Sequence, residues 1–272
     1  MNISFIGGGN MARAIIGGLK KNGFDMHAIT VIEPDAQKRT QLTAEFNVQV
    51  SDSYVENRDT NATSNVIVLA VKPQQLQEVC NQLSAKLNSQ LIISIAAGIR
   101  SKDISRWLAD YQAVVRVMPN TPAQIQAGVS ALYAMPGVSP AQQDQATTIL
   151  AAAGLTLWLD NEAKMDAVTA ISGSGPAYVF YFIEALQEAA IGLGLAPDEA
   201  RMLALQTFTG ASLLATQSIE DVKTLRAQVT SKGGTTEQGI LALEAANIKA
   251  AIISAAQAAA DKSRALGDDL AL

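Results

Sequence analysis

Residues 231–236, Ser-Lys-Gly-Gly-Thr-Thr, set two adjacent glycines among three hydroxyls just ahead of a helical pattern. Adjacent glycines let backbone N–H groups turn inward as an anion-binding nest. Thr235 and Gln238 have the spacing of a capping box, which predicts a helix starting here with its positive end toward the loop. Amides, hydroxyls and helix dipole together suit a small carboxylate. An ordinary loop leading into a capped helix fits the same residues.

A second chemistry-bearing stretch lies near the other end of the chain. Ile6-Gly7-Gly8-Gly9-Asn10-Met11-Ala12 ends an apolar run and opens a helical pattern. Gly7, Gly9 and Ala12 match the G-x-G-x-x-G/A dinucleotide fingerprint. Gly7 allows the tight turn, Gly9 lets a pyrophosphate approach the backbone, and Ala12 lets the helix pack closely. Glu33 falls at the end of the next strand, where an acid hydrogen-bonds a ribose 2′-hydroxyl and favours NAD. Lys38 and Arg39 stand nearby and suit a 2′-phosphate instead, so both cofactors stay open.

Three further strings follow strands, at the edge of the sheet where such folds bind ligands: Ala70-Val71-Lys72-Pro73, Ser94-Ile95-Ala96-Ala97-Gly98 and Met118-Pro119-Asn120-Thr121-Pro122. Their small residues and prolines suit a tight fit against a flat nicotinamide ring. Lys72 reads equally as a solvated loop lysine, and Asn120 as a turn residue bonding its own backbone.

The elements that must position these strings divide the chain in two. Over residues 1–160, β-branched runs at Ile3–Ile6, Ile29–Ile32, Val66–Val71, Leu91–Ile95 and Val114–Val117, with a weaker one at Val48–Val50, alternate with helical stretches. Most lack polar alternation, the mark of strands covered on both faces in a parallel sheet. This predicts an α/β fold: an N-terminal Rossmann-like doubly wound sheet with helices at about 11–22, 35–45, 73–87 and 101–109. Runs at Val129–Tyr133 and Leu155–Leu159, around a helix at about 139–152, extend the sheet. Residues 161–272 form an all-α C-terminal domain, with helices at 162–172, 176–194, 197–217, 220–229, 235–246 and 248–266. The 176–194 and 245–260 stretches carry little polar surface and must be buried, by a partner subunit or as a central core helix.

Of 272 residues, 49% are hydrophobic and 17% charged, enough apolar side chains for two packed domains. A net charge of -5 gives no electrostatic reason for a nucleic-acid partner, and no apolar run approaches the ~20 residues of a membrane helix. The first residues run straight into a strand, leaving no room for a leader, so the expected location is the cytoplasm. Cys80 and His27 are each the only residue of their type. That argues against a disulfide, a metal centre and histidine-based nucleophilic catalysis.

Taken in order, Ile6–Met11, Ala70–Pro73, Ser94–Gly98, Met118–Pro122, Ser172-Gly173-Ser174-Gly175-Pro176-Ala177-Tyr178 and Val229–Thr236 make the chain resemble pyrroline-5-carboxylate reductases along its whole length. The resemblance implies reduction of 1-pyrroline-5-carboxylate to L-proline, usually with NADPH and sometimes NADH. It also implies an intertwined dimer, assembled in some members into a decamer. It places Ile6, Gly7, Gly8, Gly9, Asn10, Met11, Ala70, Val71, Lys72 and Pro73 along the cofactor. Ala97, Met118 and Asn120 then lie close to the nicotinamide and substrate, and Ser231, Gly233, Gly234, Thr235 and Thr236 form the substrate loop. The family usually has proline where Lys232 stands, and many NADPH-using relatives a small or neutral residue where Glu33 stands.

Reducing a cyclic imine needs orientation more than acid–base machinery, which suits a chain with one histidine. Thr236 is the candidate for a hydrogen bond to the ring nitrogen. One rival, a β-hydroxy-acid dehydrogenase, needs a lysine on the helix after Gly175, and none is there. Another, a non-catalytic nucleotide-binding regulator, gives no reason for the Gly-Gly-Thr-Thr loop.

Overall fold

The computed structural model describes residues 1–53 and 64–270. Among them, eight strands form one sheet: β1 Ile3–Ile6, β2 Ile29–Ile32, β3 Gln49–Ser51, β4 Val66–Leu69, β5 Leu91–Ser94, β6 Val114–Met118, β7 Gly128–Ala134 and β8 Gly154–Trp158. Their spatial order is β3-β2-β1-β4-β5-β6-β7-β8. Pairing is parallel from β3 through to β6, β7 runs antiparallel to β6, and β8 is again parallel to β7.

The connections explain these directions. Helices α1 Asn10–Lys21, α2 Ala36–Phe46, α3 Pro73–Ser84 and α4 Ser101–Trp107 follow β1, β2, β4 and β5. Between β6 and β7 lies only a 3₁₀ turn, Thr121–Ile125, ending at Gln126 with φ 57. So short a link folds the chain back antiparallel, because a parallel crossover needs a dozen or more residues. Helix α5, Pro140–Ala151, supplies such a crossover before β8.

All four residues of β1, β2, β4 and β5 are buried, as unbroken apolar runs require. Strand alternation feeds two layers: Phe5, Val31, Val68 and Ile93 join Ile15 and Leu42 on one side, while Ile6, Ile32, Leu69 and Ile92 join Leu76, Cys80 and Leu108 on the other.

After β8 come a 3₁₀ turn, Glu162–Lys164, the short helix α6 Met165–Val168 and a π-helical turn, Thr169–Gly173, where the sequence predicts one continuous helix. Then follow α7 Gly175–Gly192, α8 Pro197–Gln217, α9 Val222–Gln228, α10 Thr235–Ala245 and α11 Ile248–Leu270.

Two compact units result: Met1–Ser174 with Ala259–Leu272, and Gly175–Ala258. The division at 160/161 drawn from the end of the strand pattern therefore differs from that of the contacts. Side chains just past it are tied to the sheet unit. Glu162 accepts hydrogen bonds from the Ser101 N–H at 2.7 Å, the Ser101 hydroxyl at 2.6 Å and Arg116 at 3.0 Å. Asp166 accepts one from Ser263 at 2.7 Å.

In the helical unit, α7 has no buried residue, and Phe180 and Tyr181 are 65% and 69% exposed. Among the described residues no single helix is long and apolar enough to cross a membrane; α10 and α11 pass that test only as a pair bent by 51°.

Candidate active site

The sheet register brings the predicted strings to one edge. Ile6 stands level with Ile32 and Leu69, Leu69 with Ser94, and Ser94 with Arg116, two residues before Met118. Strand β1 lies between β2 and β4, with the strand order running outward to β3 on one side and through β4 to β6 on the other, the switch point where doubly wound sheets bind ligands.

Gly7 has φ 102, and its N–H donates to the Ile32 carbonyl at 2.8 Å. A Cβ there would lie 2.7 Å from the Ala70 carbonyl oxygen, so the turn after β1 and the string after β4 touch only because residue 7 is glycine. Gly9 caps α1 with ordinary extended geometry, and a Cβ there would meet nothing within 4 Å. No side chain caps α1. Open space beside Gly9 and the uncapped amides of the first turn match what a dinucleotide's pyrophosphate needs.

Glu33 is 6% exposed and braced from both sides: Oε2 accepts the Gly8 N–H at 2.9 Å, Oε1 the Asp35 N–H at 3.1 Å. Its carboxylate thus supports the glycine turn. Arg39 Nη1 folds back onto the carbonyls of Glu33 and Pro34, at 2.8 and 2.7 Å, while Lys38 is exposed. Asp35 caps α2, and the hydrogen bond from the Lys38 amide, with one from Gln37, lowers its pKa.

Strand β4 ends at Leu69, two residues earlier than predicted, which leaves Ala70 and Val71 as loop. Lys72 is the exposed N-cap of α3 and Pro73 its first residue. In the next string Ser94 is fully buried, whereas Ala97 is exposed at the loop tip. Asn120 does more than the turn reading allows. Its Oδ1 accepts the Val129 N–H at 2.9 Å, and its Nδ2 donates to the carbonyl and hydroxyl oxygens of Ser172 at 3.3 and 3.4 Å. Met118 faces the same turn, since a Cβ on Gly173 would lie 2.4 Å from its terminal methyl. Sequence reasoning gave Ser172 no role; a Ser-Gly-Ser-Gly run shows that a backbone must come close, without saying to what. π-turns recur at functional sites.

The helical unit holds the other string. The Gly234 N–H closes a turn onto the Ser231 carbonyl at 3.0 Å, with Gly233 at φ 76 in the third position, as in a type II turn. Lys232 occupies the second position, where proline is favoured but most residues fit. Gly234 is the N-cap of α10, Thr235 and Thr236 are its exposed first residues, and no side chain caps it. The predicted Thr235–Gln238 capping box does not form, because the helix begins one residue earlier than that pairing requires. Instead Glu237 Oε2 accepts the Gly233 N–H at 2.7 Å. Among the described residues, no group of three or more His, Cys, Asp or Glu could hold a metal ion.

A glycine turn at the switch point of a parallel sheet, followed by a helical unit, defines the class of two-part dinucleotide-binding oxidoreductases. Residues 2–98 match the family described as NADP oxidoreductase coenzyme F420-dependent, and residues 162–266 that described as Pyrroline-5-carboxylate reductase dimerisation. Pyrroline-5-carboxylate reductase of Pseudomonas aeruginosa is 44% identical over 98% of this chain and 97% of its own. A solved pyrroline-5-carboxylate reductase from Coxiella burnetii is similar at 41% identity and TM-score 0.91, covering 97% of this chain and 98% of that one. The Plasmodium falciparum enzyme, solved with NADP bound, is similar at 29% identity and TM-score 0.86, with 98% of each chain covered. The chain belongs to the pyrroline-5-carboxylate reductase family.

Proposed function

We propose that this protein reduces the C=N bond of 1-pyrroline-5-carboxylate to L-proline with NADPH, closing proline biosynthesis, and that NADH serves less well. The observation that carries this reading is full-length similarity to reductases of that name, one of them solved with NADP bound. When bound, the reduced nicotinamide supplies the hydride.

The chain's own residues bind and orient. Gly7, Gly8, Gly9, Asn10 and Met11 accommodate the pyrophosphate at the start of α1, with Ile6 beneath them. Ala70, Val71, Lys72 and Pro73 border the cofactor on the β4 side. Glu33 keeps lone pairs beyond its two backbone bonds for the adenosine ribose, and Lys38 and Arg39 are the nearby cations suited to a 2′-phosphate. Ala97, Met118 and Asn120 flank the reacting end, Asn120 also fixing the Ser172 turn. Ser231, Gly233, Gly234, Thr235 and Thr236 grip the substrate carboxylate. Thr236 directs its hydroxyl to the ring nitrogen; as a poor acid at neutral pH, it orients the imine, and solvent protonates it.

The chain works as a cytoplasmic dimer through its helical unit, with decamers as the larger assembly, and without nucleic-acid or membrane partners. Incubation with pyrroline-5-carboxylate and each reduced nicotinamide, following cofactor oxidation and proline release, tests the reading. Cofactor binding without turnover would favour the non-catalytic regulator. Within it, Thr236→Ala lowers turnover by roughly one to two powers of ten with cofactor affinity intact, the worth of a charge-assisted hydrogen bond, and Thr236→Ser loses less. A stable, fully active alanine variant would remove Thr236 from the mechanism.

A further inference from the structure

The last turns of α11 press on the loop after β5 more closely than side chains allow. A Cβ on Gly267 would stand 2.9 Å from the Gly98 carbonyl oxygen and 3.5 Å from two nitrogens of Arg100. Gly98 has φ +81, and a Cβ on it would meet Leu266 at 3.6 Å and Leu270 at 3.8 Å. Across the same contact Arg100 donates to Asp268 at 2.5 Å, a bond that raises the arginine's pKa. Glycine is among the poorest residues for a helix interior, so its presence in α11 answers to this approach rather than to the helix. The loop's ends are fixed by the Ile95 N–H on the Leu69 carbonyl at 3.2 Å and the Ser101 N–H on Glu162 at 2.7 Å. Between those anchors Ala96 and Ile99 are buried in the core, the Ala96 N–H also donating to the Ser94 hydroxyl at 3.4 Å, and they flank exposed Ala97 and buried Gly98, against which α11 packs.

We infer that Gly267 and Asp268 are positioning residues for hydride transfer: through Gly98 and Arg100 they set where Ala97 stands at the reacting end of the cofactor. This rests on the reductase reading, which puts Ala97 beside the nicotinamide. Neither residue touches substrate. The ion pair is too exposed to add much stability, its side chains being 28% and 62% accessible, so its effect is geometric.

Gly267→Ala tests placement by kinetics rather than by melting. Its Cβ would stand 2.9 Å from the Gly98 carbonyl oxygen, so melting falls in either case, while a purely structural position leaves the kinetics of the folded variant as before. The inference expects kcat to fall roughly three- to tenfold, as suits a displacement of a few tenths of an ångström where 1 Å can cost a hundredfold. The primary isotope effect, with the transferred hydrogen of NADPH deuterated, should rise as hydride transfer becomes more limiting. Asp268→Asn should show a smaller change of the same kind, Asp268→Glu should restore wild-type behaviour, and Asp269→Asn, an exposed neighbour, should do nothing. Wild-type kcat and isotope effect in Gly267→Ala overturn the inference. If that variant does not fold, the same null result in Asp268→Asn overturns it. A wild-type protein without turnover would instead sink the reductase reading, and this inference with it.

Discussion

Glu33→Gln distinguishes a brace from a charge. Replacing the carboxylate by an amide keeps the shape but leaves one oxygen to serve two backbone donors, the Gly8 N–H at 2.9 Å and the Asp35 N–H at 3.1 Å. Gly8 is buried and keeps the oxygen, at the strength of a neutral rather than a charged acceptor. Asp35 is exposed and turns to water. Charged hydrogen bonds are worth about 1.5–3 kcal/mol and neutral ones about 0.5–1.5, so the change should cost about 2 kcal/mol. In a unit of this size that lowers Tm by about 4–8 °C. The assay pairs calorimetry with kcat/KM for NADPH and NADH. If Glu33 acts only by repelling a 2′-phosphate, the NADPH:NADH ratio rises and Tm stays put. If it braces the glycine turn, Tm falls in either case. A variant melting within about 1 °C of wild type would refute the brace.

Two further expectations concern single positions and a third the assembly. Gly9→Val should fold and melt normally, because a Cβ there meets nothing within 4 Å, yet lose more than about tenfold in NADPH affinity; unchanged affinity would move the pyrophosphate elsewhere. Cys80 is fully buried in α3, and burial pushes its thiol up to about 12 from 9.0. The folded state then binds more protons than the unfolded one between those values, so stability should fall from pH 9 upward by up to about 1.4 kcal/mol per pH unit, and the native thiol should resist alkylation at about pH 8. Labelling as fast in native protein as in urea would contradict this. Sedimentation should show a dimer or a multiple of it, given an α7 with no buried residue; a stable monomer at micromolar concentration would leave Phe180 and Tyr181 unexplained.

The parallel strands were legible because each is a short, β-branched apolar run covered on both faces and set between helical stretches. The glycine turn was legible because its geometry tolerates few residues. What stayed hidden depended on partners distant in sequence. Glu33 could be placed at the end of β2, but its bond to Gly8 spans 25 residues. Asn120 looked like a local turn, yet one of its partners is 52 residues away. The return of α11 to the sheet unit left only a trace, a glycine in a helix whose intrinsic propensity favours alanine. The start of α10 was misread by one residue, enough to credit a capping role to Gln238 that the backbone bond of Glu237 takes up.

That last bond bears on how the Ser231–Thr236 loop meets an anion. The Gly233 N–H already carries a carboxylate from its own helix, held at 2.7 Å. A ligand carboxylate that uses this amide exchanges one charged acceptor for another, and it competes with a group tethered four residues away. Tethering gives Glu237 a high effective concentration, so free ligand must win through its other contacts. If the loop holds the substrate as proposed, a substrate carboxylate that uses the Gly233 amide does so by displacing the Glu237 carboxylate.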